Sequence, residues 1–120
     1  MYKVKIIKNF SSAHNLRGYE GNCENLHGHN WRVEAALKGD KLDNVGMLVD
    51  FRVLKRALNA ILDDLDHKYL NEHEAFKVIN PTSENIAKYI FDTLGKTFPN
   101  MVDSVTIWES DDACATYTES

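Results

Sequence analysis

From its first residues the chain alternates between apolar and polar positions. Tyr2, Val4 and Ile6 share one parity and Lys3 and Lys5 the other, the period of two that marks a half-buried strand, here continuing toward Phe10. The clearest alternation sets Trp31, Val33, Ala35 and Leu37 against Arg32, Glu34 and Lys38, until Gly39 and Asp40 end the run. From Asp50, a good N-cap, apolar residues recur as Val53/Leu54, Ala57/Leu58, Ile61/Leu62 and Leu65, the stripe of an amphipathic helix. A second helix is predicted after Pro81, with Thr82 as N-cap, Glu84 at the positive end of the dipole, and Ile86, Ile90, Phe91 and Leu94 as its buried face up to Gly95. Val105 and Ile107 share parity with Glu109, and Ser110-Asp111-Asp112 reads as a turn into a last strand over residues 113–118. The pattern predicts an α+β fold, a four-stranded antiparallel sheet with two helices, whose sheet edges have to be covered or paired, for example by another copy.

Length and composition narrow this to one domain, residues 1–120, with no repeat, linker or low-complexity stretch. A net charge of -4 with scattered Lys and Arg gives no footprint for nucleic acid. No apolar run reaches the roughly 20 residues of a membrane span, and Met1 leads straight into a strand pattern, so a cytoplasmic location is expected. Cys23 and Cys114 are expected to stay reduced there.

The chemistry-bearing residues are concentrated around the second strand. His27 and His29, two apart in an extended segment, project to one side and can reach one metal ion, with Gly28 between them letting the backbone pass close. His14 ends the first strand and joins them if those strands pair; three imidazoles with an open position form a catalytic zinc pattern, although surface histidines satisfy the same spacing. Cys23 sits in the polar, Gly-rich segment GYEGNCENLHGH, where a nearby cation would favour its thiolate; an incidental surface thiol is the alternative. Asp66 beside His67 suits a general acid/base, while a helix C-terminal histidine favoured by the dipole is the plainer reading. Glu109 carries core parity, so it either has a partner, such as a ligand with two adjacent N–H donors, or the strand has ended at Trp108 and it is solvated. His73 reads as surface and Cys114 as a small packing residue.

FSSAHNL, CENLHGHN, LDHKYLN, NPTSENIA and IWES occur in the order seen in the 6-pyruvoyltetrahydropterin synthase superfamily, and the chain resembles that superfamily over nearly its whole length. The four-residue step from Cys23 to His27 resembles its queuosine-pathway branch, the 6-carboxytetrahydropterin synthases. The resemblance implies a tunnelling fold with both helices on one face of the sheet, copies joined into a barrel, and a homohexamer of two stacked trimers. It implies zinc on His14, His27 and His29, Cys23 as catalytic base with Asp66 and His67 as proton relay, and Glu109 and Thr82 against the pterin ring. The implied reaction turns 7,8-dihydroneopterin triphosphate into 6-carboxy-5,6,7,8-tetrahydropterin, acetaldehyde and triphosphate, with Arg17 and several lysines as unranked candidates for the phosphates. The competing readings are a 6-pyruvoyltetrahydropterin synthase, a non-catalytic zinc-binding domain, and a cupin-like HxH protein, the last opposed by two long helices.

Overall fold

A computed structural model describes residues 1–19 and 25–119. The chain folds into strands β1 (Tyr2–His14) and β2 (His27–Gly39), helix α1 (Phe51–Leu65), helix α2 (Ser83–Thr97), and strands β3 (Val102–Ser110) and β4 (Ala113–Tyr117), with two 3-10 turns, Leu70–Glu72 and Glu74–Phe76, between the helices. The four strands form one antiparallel sheet in the order β1-β2-β3-β4. Both helices pack on one face, as the apolar parity of the strands demands.

The β1–β2 register runs unbroken from Tyr2 opposite Gly39 to His14 opposite His27. Ile6 and Phe10 of β1, Trp31, Val33, Ala35 and Leu37 of β2, and Val105 and Ile107 of β3 are buried against Leu54, Leu58, Ile61, Leu62 and Leu65 of α1 and Ile86, Ala87, Ile90, Phe91 and Leu94 of α2. Each such Leu or Ile contributes about 1.5–3 kcal/mol by leaving water, so this layer supplies the main driving force. Gly39 lies close under Leu48: a Cβ there would lie 2.5 Å from Leu48 Cδ1, so that side chain would have to shift. Among the described residues, no helix is long and apolar enough to cross a membrane.

Both predicted caps form. The Asp50 side chain accepts from the Arg52 N–H at 2.8 Å, and Thr82 Oγ1 accepts from the Asn85 N–H at 3.1 Å. α2 does not stop at Gly95 but continues to Thr97, its last N–H–carbonyl bond running from Phe98 to Leu94. The 3-10 segment also holds a surprise. His73 is not a surface residue: its side chain is 11% exposed, bonded to Asp64 and set against Phe76 and Tyr89. Cys114, expected to pack, is exposed on β4, because its parity turns it to the face of the sheet away from the helices.

That second face is polar. Lys5 pairs with Glu34 at 3.6 Å, Lys3 with Asp103 at 3.2 Å, and Trp108 Nε1 donates to Glu34 at 3.1 Å.

Candidate metal centre

The predicted histidines meet at one end of the sheet because the register brings them there. His14 closes β1 opposite His27 at the start of β2, and His29 points to the same side as His27. Glu109, one residue short of the end of β3, completes the group; the strand does not end at Trp108. One ligand atom from each of His14, His27, His29 and Glu109 lies within 4.8 Å of the others. A tetrahedral zinc shell with bonds of about 2.1 Å spaces its ligands about 3.4 Å apart, so the group is of the right size.

Hydrogen bonding fixes what these atoms can do. His14 Nδ1 lies 2.7 Å from the Pro81 carbonyl, and His27 Nδ1 lies 2.7 Å from the Asn25 carbonyl. A carbonyl only accepts, so both rings carry their proton on Nδ1 and present a bare Nε2. Those two Nε2 atoms face each other at 3.0 Å. Glu109 Oε1, another acceptor, stands 3.2 Å from His14 Nε2 and 3.1 Å from His29 Nε2. The second of these contacts is out of hydrogen-bonding alignment, and His29 Nε2 is buried without a hydrogen-bond partner.

Three acceptors thus converge, Nε2 of His14 and of His27 and Oε1 of Glu109, beside the unpartnered Nε2 of His29, an arrangement that repels unless a cation sits between. A proton is poorly suited, since burial pushes His14 and His29 below the ordinary imidazole value of 6.5. A divalent ion fits the donor set of three imidazoles and one carboxylate. Trp31 walls the site, with its ring 4.9 Å from that of His14 and 5.1 Å from that of His29.

The other predicted residues distribute unevenly. Asp66 and His67 are paired, Oδ2 to Nδ1 at 2.9 Å, and the Ser11 N–H, then His67, holds the Asp66 carboxyl below its ordinary value. His67 has a left-handed backbone (φ 53°) and an 82% exposed side chain at the edge of β1. It borders the same cavity of about 520 Å³ as His29 and Lys68. Thr82 caps α2, directly after the carbonyl that holds His14. Arg17 is committed elsewhere, its guanidinium donating to the Phe76 and Ile79 carbonyls. Gly28 is free of packing demands from the described residues, since a Cβ there would meet no atom within 4 Å. Cys23 lies outside the described residues. The carbonyls of Pro81 and Asn25 escaped sequence reasoning, because a backbone acceptor carries no residue signature.

Residues 3–120 match the family described as 6-pyruvoyl tetrahydropterin synthase. The 6-carboxy-5,6,7,8-tetrahydropterin synthase of Synechocystis is 37% identical over 90% of this chain and 86% of its own. The dihydroneopterin monophosphate aldolase of Pyrococcus furiosus is 33% identical over 92% of this chain and 93% of its own. The 6-pyruvoyl tetrahydropterin synthase structure from Caenorhabditis elegans superposes with a TM-score of 0.89 at 32% identity, covering 99% of this chain and 96% of that one. The chain therefore belongs to the 6-pyruvoyl tetrahydropterin synthase family, and its sheet and helices are the tunnelling fold of that family.

Proposed function

We propose that this family member is a zinc enzyme converting 7,8-dihydroneopterin triphosphate and water to 6-carboxy-5,6,7,8-tetrahydropterin, acetaldehyde and triphosphate, a step toward queuosine. The observation that carries the reading is the convergence of His14, His27, His29 and Glu109 on one point, with bare Nε2 atoms on the first two and an unpartnered Nε2 on the third. The four-residue step from Cys23 to His27 and relatives named for this activity favour the carboxy product.

His14, His27 and His29 would hold the ion, the first two with Nε2 presented by carbonyl-locked rings. A bound zinc supplies Lewis acidity toward the hydroxyl oxygens of the substrate side chain. Cys23, as thiolate, takes a proton from that side chain. His67, oriented by Asp66, moves protons to and from the pterin and the departing fragment. Glu109 accepts the paired N–H donors of the pterin ring and fixes which carbon faces the base, with Thr82 beside the ring. The enzyme works in the cytoplasm as a hexamer of two stacked trimers, with β1 and β4 edges joining copies into a barrel.

The decisive experiment incubates zinc-loaded protein with dihydroneopterin triphosphate and identifies the products by mass. Acetaldehyde with a carboxylated tetrahydropterin is expected. Retention of the three-carbon side chain would make it a 6-pyruvoyl enzyme, and cleavage of the monophosphate alone would place it with the aldolase. Cys23→Ala is expected to abolish turnover with zinc content unchanged; near-normal turnover would remove Cys23 from the chemistry.

A further inference from the structure

Among the described residues, the polar face of the sheet contains a cation that its neighbours leave unpaired. Lys3 and Lys38 share Asp103, and Lys5 holds Glu34. Arg32 stands on the same face between them in sequence, yet among the described residues it forms no ion pair and no side-chain hydrogen bond. Its guanidinium lies 4.5 Å from the centre of the Trp108 ring, and its Nε is buried with no partner. Glu34, two residues along the strand, is already engaged by Lys5 and by Trp108 Nε1. A half-buried guanidinium without an acceptor is costly, and a planar fork laid on an indole is held ready for a bidentate oxyanion.

The surroundings supply more unspent donors. Arg32 and Trp108 border a cavity of about 510 Å³ whose wall includes Ser11, Asn30 and Asp111. Ser11 Oγ donates to Asn30 Oδ1 at 2.7 Å, and the exposed Asn30 amide N–H donors meet no acceptor among the described residues. Asp111 forms no ion pair with Arg32, so an incoming anion is favoured on the Asn30 side. Ser11 and Asn30 also border the cavity that holds His29 and His67, so the two cavities share a wall.

We infer that Arg32, laid on Trp108, anchors an oxyanion subsite on the open face of the sheet that takes a phosphate group, with Asn30 as its second donor. Whether that group arrives free or attached to a larger ligand is a separate matter, and the attached case rests on the proposed reaction. The subsite itself rests on the unspent donors alone.

The test titrates the purified chain with inorganic tripolyphosphate, following heat and tryptophan emission, and repeats it with Arg32→Met and Arg32→Lys. Arg32→Met is expected to weaken binding at least tenfold and to remove the emission change. Arg32→Lys, which keeps the charge but not the fork, is expected to fall between, and it carries the test should Arg32→Met fold poorly. Lys55→Met, in the separate basic cavity of Lys8, Arg52 and Arg56, is the control and is expected to bind normally. Binding unchanged by either Arg32 variant, lost equally with Lys55→Met, or lost only with His29→Ala overturns the proposal. A last arm uses neopterin, which has no phosphate. Its affinity is expected to be indifferent to Arg32→Met, and its failure to bind at all would count against the pterin reading while leaving the tripolyphosphate result intact.

Discussion

Two histidine groups in this molecule look alike in composition and differ in their hydrogen-bond balance. At the end of the sheet, His14, His27 and Glu109 turn acceptors toward one another beside the unpartnered Nε2 of His29, with His14 and His27 Nε2 at 3.0 Å. Beside α1, His73 accepts the Ala75 N–H on Nδ1 at 3.1 Å and donates from Nε2 to Asp64 at 2.6 Å. The second group is complete: every donor has an acceptor, and nothing further is needed. The first lacks a positive charge. A carboxylate–histidine group thus signals a bolt or a site according to whether its donors and acceptors cancel, and neither residue type nor burial decides it.

The comparison breaks most sharply on His29→Ala. Removing one of three imidazoles is expected to lower zinc affinity at least 100-fold, measured by competition with a chromophoric chelator, while the metal-free fold keeps or gains stability because one buried, unpartnered ring nitrogen is gone. Zinc affinity within a fewfold of the parent would show that the cluster is not a metal centre. His73→Ala is the mirror experiment. Its metal affinity is expected to stay within twofold, while denaturant unfolding loses about 1–2 kcal/mol from the broken bond to a charged partner and the gap left against Phe76 and Tyr89.

These two groups were not equally legible in the sequence. The stripes and caps of both helices were, because Asp50 and Thr82 act on N–H groups two and three residues away. The convergence of His14 with His27 was legible only through the assumption that β1 pairs with β2. Glu109 announced itself by parity, but its neighbours come from two other strands. His73 was misread because its partner Asp64 lies nine residues back on another element and Tyr89 lies on a third. Cys114 was misread because parity in an edge strand names a face without saying which face is covered. Gly95 lowers helix propensity but does not force an end, and α2 continues because Leu94 is still buried in the core and bonded through its carbonyl to the Phe98 N–H.

A smaller effect tests how the first group is held. Thr82 caps the helix whose preceding residue, Pro81, fixes the His14 ring. Thr82→Ala is expected to cost about 1 kcal/mol of stability, with Thr82→Ser restoring most of it. Zinc affinity is expected to fall a fewfold in the alanine variant, since a loosened first turn lets the Pro81 carbonyl drift from His14 Nδ1. A stability loss with metal affinity untouched would separate the cap from the site.

The smallest expected effect per group is the response to pH, and it separates the two regions by window. Burial lowers the pKa of His14 and of His29 in the folded chain, whereas the unfolded chain titrates near 6.5. Below that value the unfolded state binds protons that the folded state refuses, so stability is full above it and declines as pH falls toward the lowered folded values. Between pH 7 and 6 the decline is at most about 0.7 kcal/mol per imidazole. Asp64 has the same sign in a lower window: its hydrogen bond to His73 holds its carboxyl below 3.8, so that contribution persists through this range and is lost only as pH falls below 3.8. Unfolding of the metal-free protein across pH 7.5 to 5 is therefore expected to lose stability in parent and His73→Ala alike, with a shallower slope in His29→Ala. A slope unchanged in His29→Ala would mean that its imidazole takes up protons alike in the folded and unfolded chain, and a steeper slope that it is already protonated when folded, so that the end of the sheet is balanced without a metal.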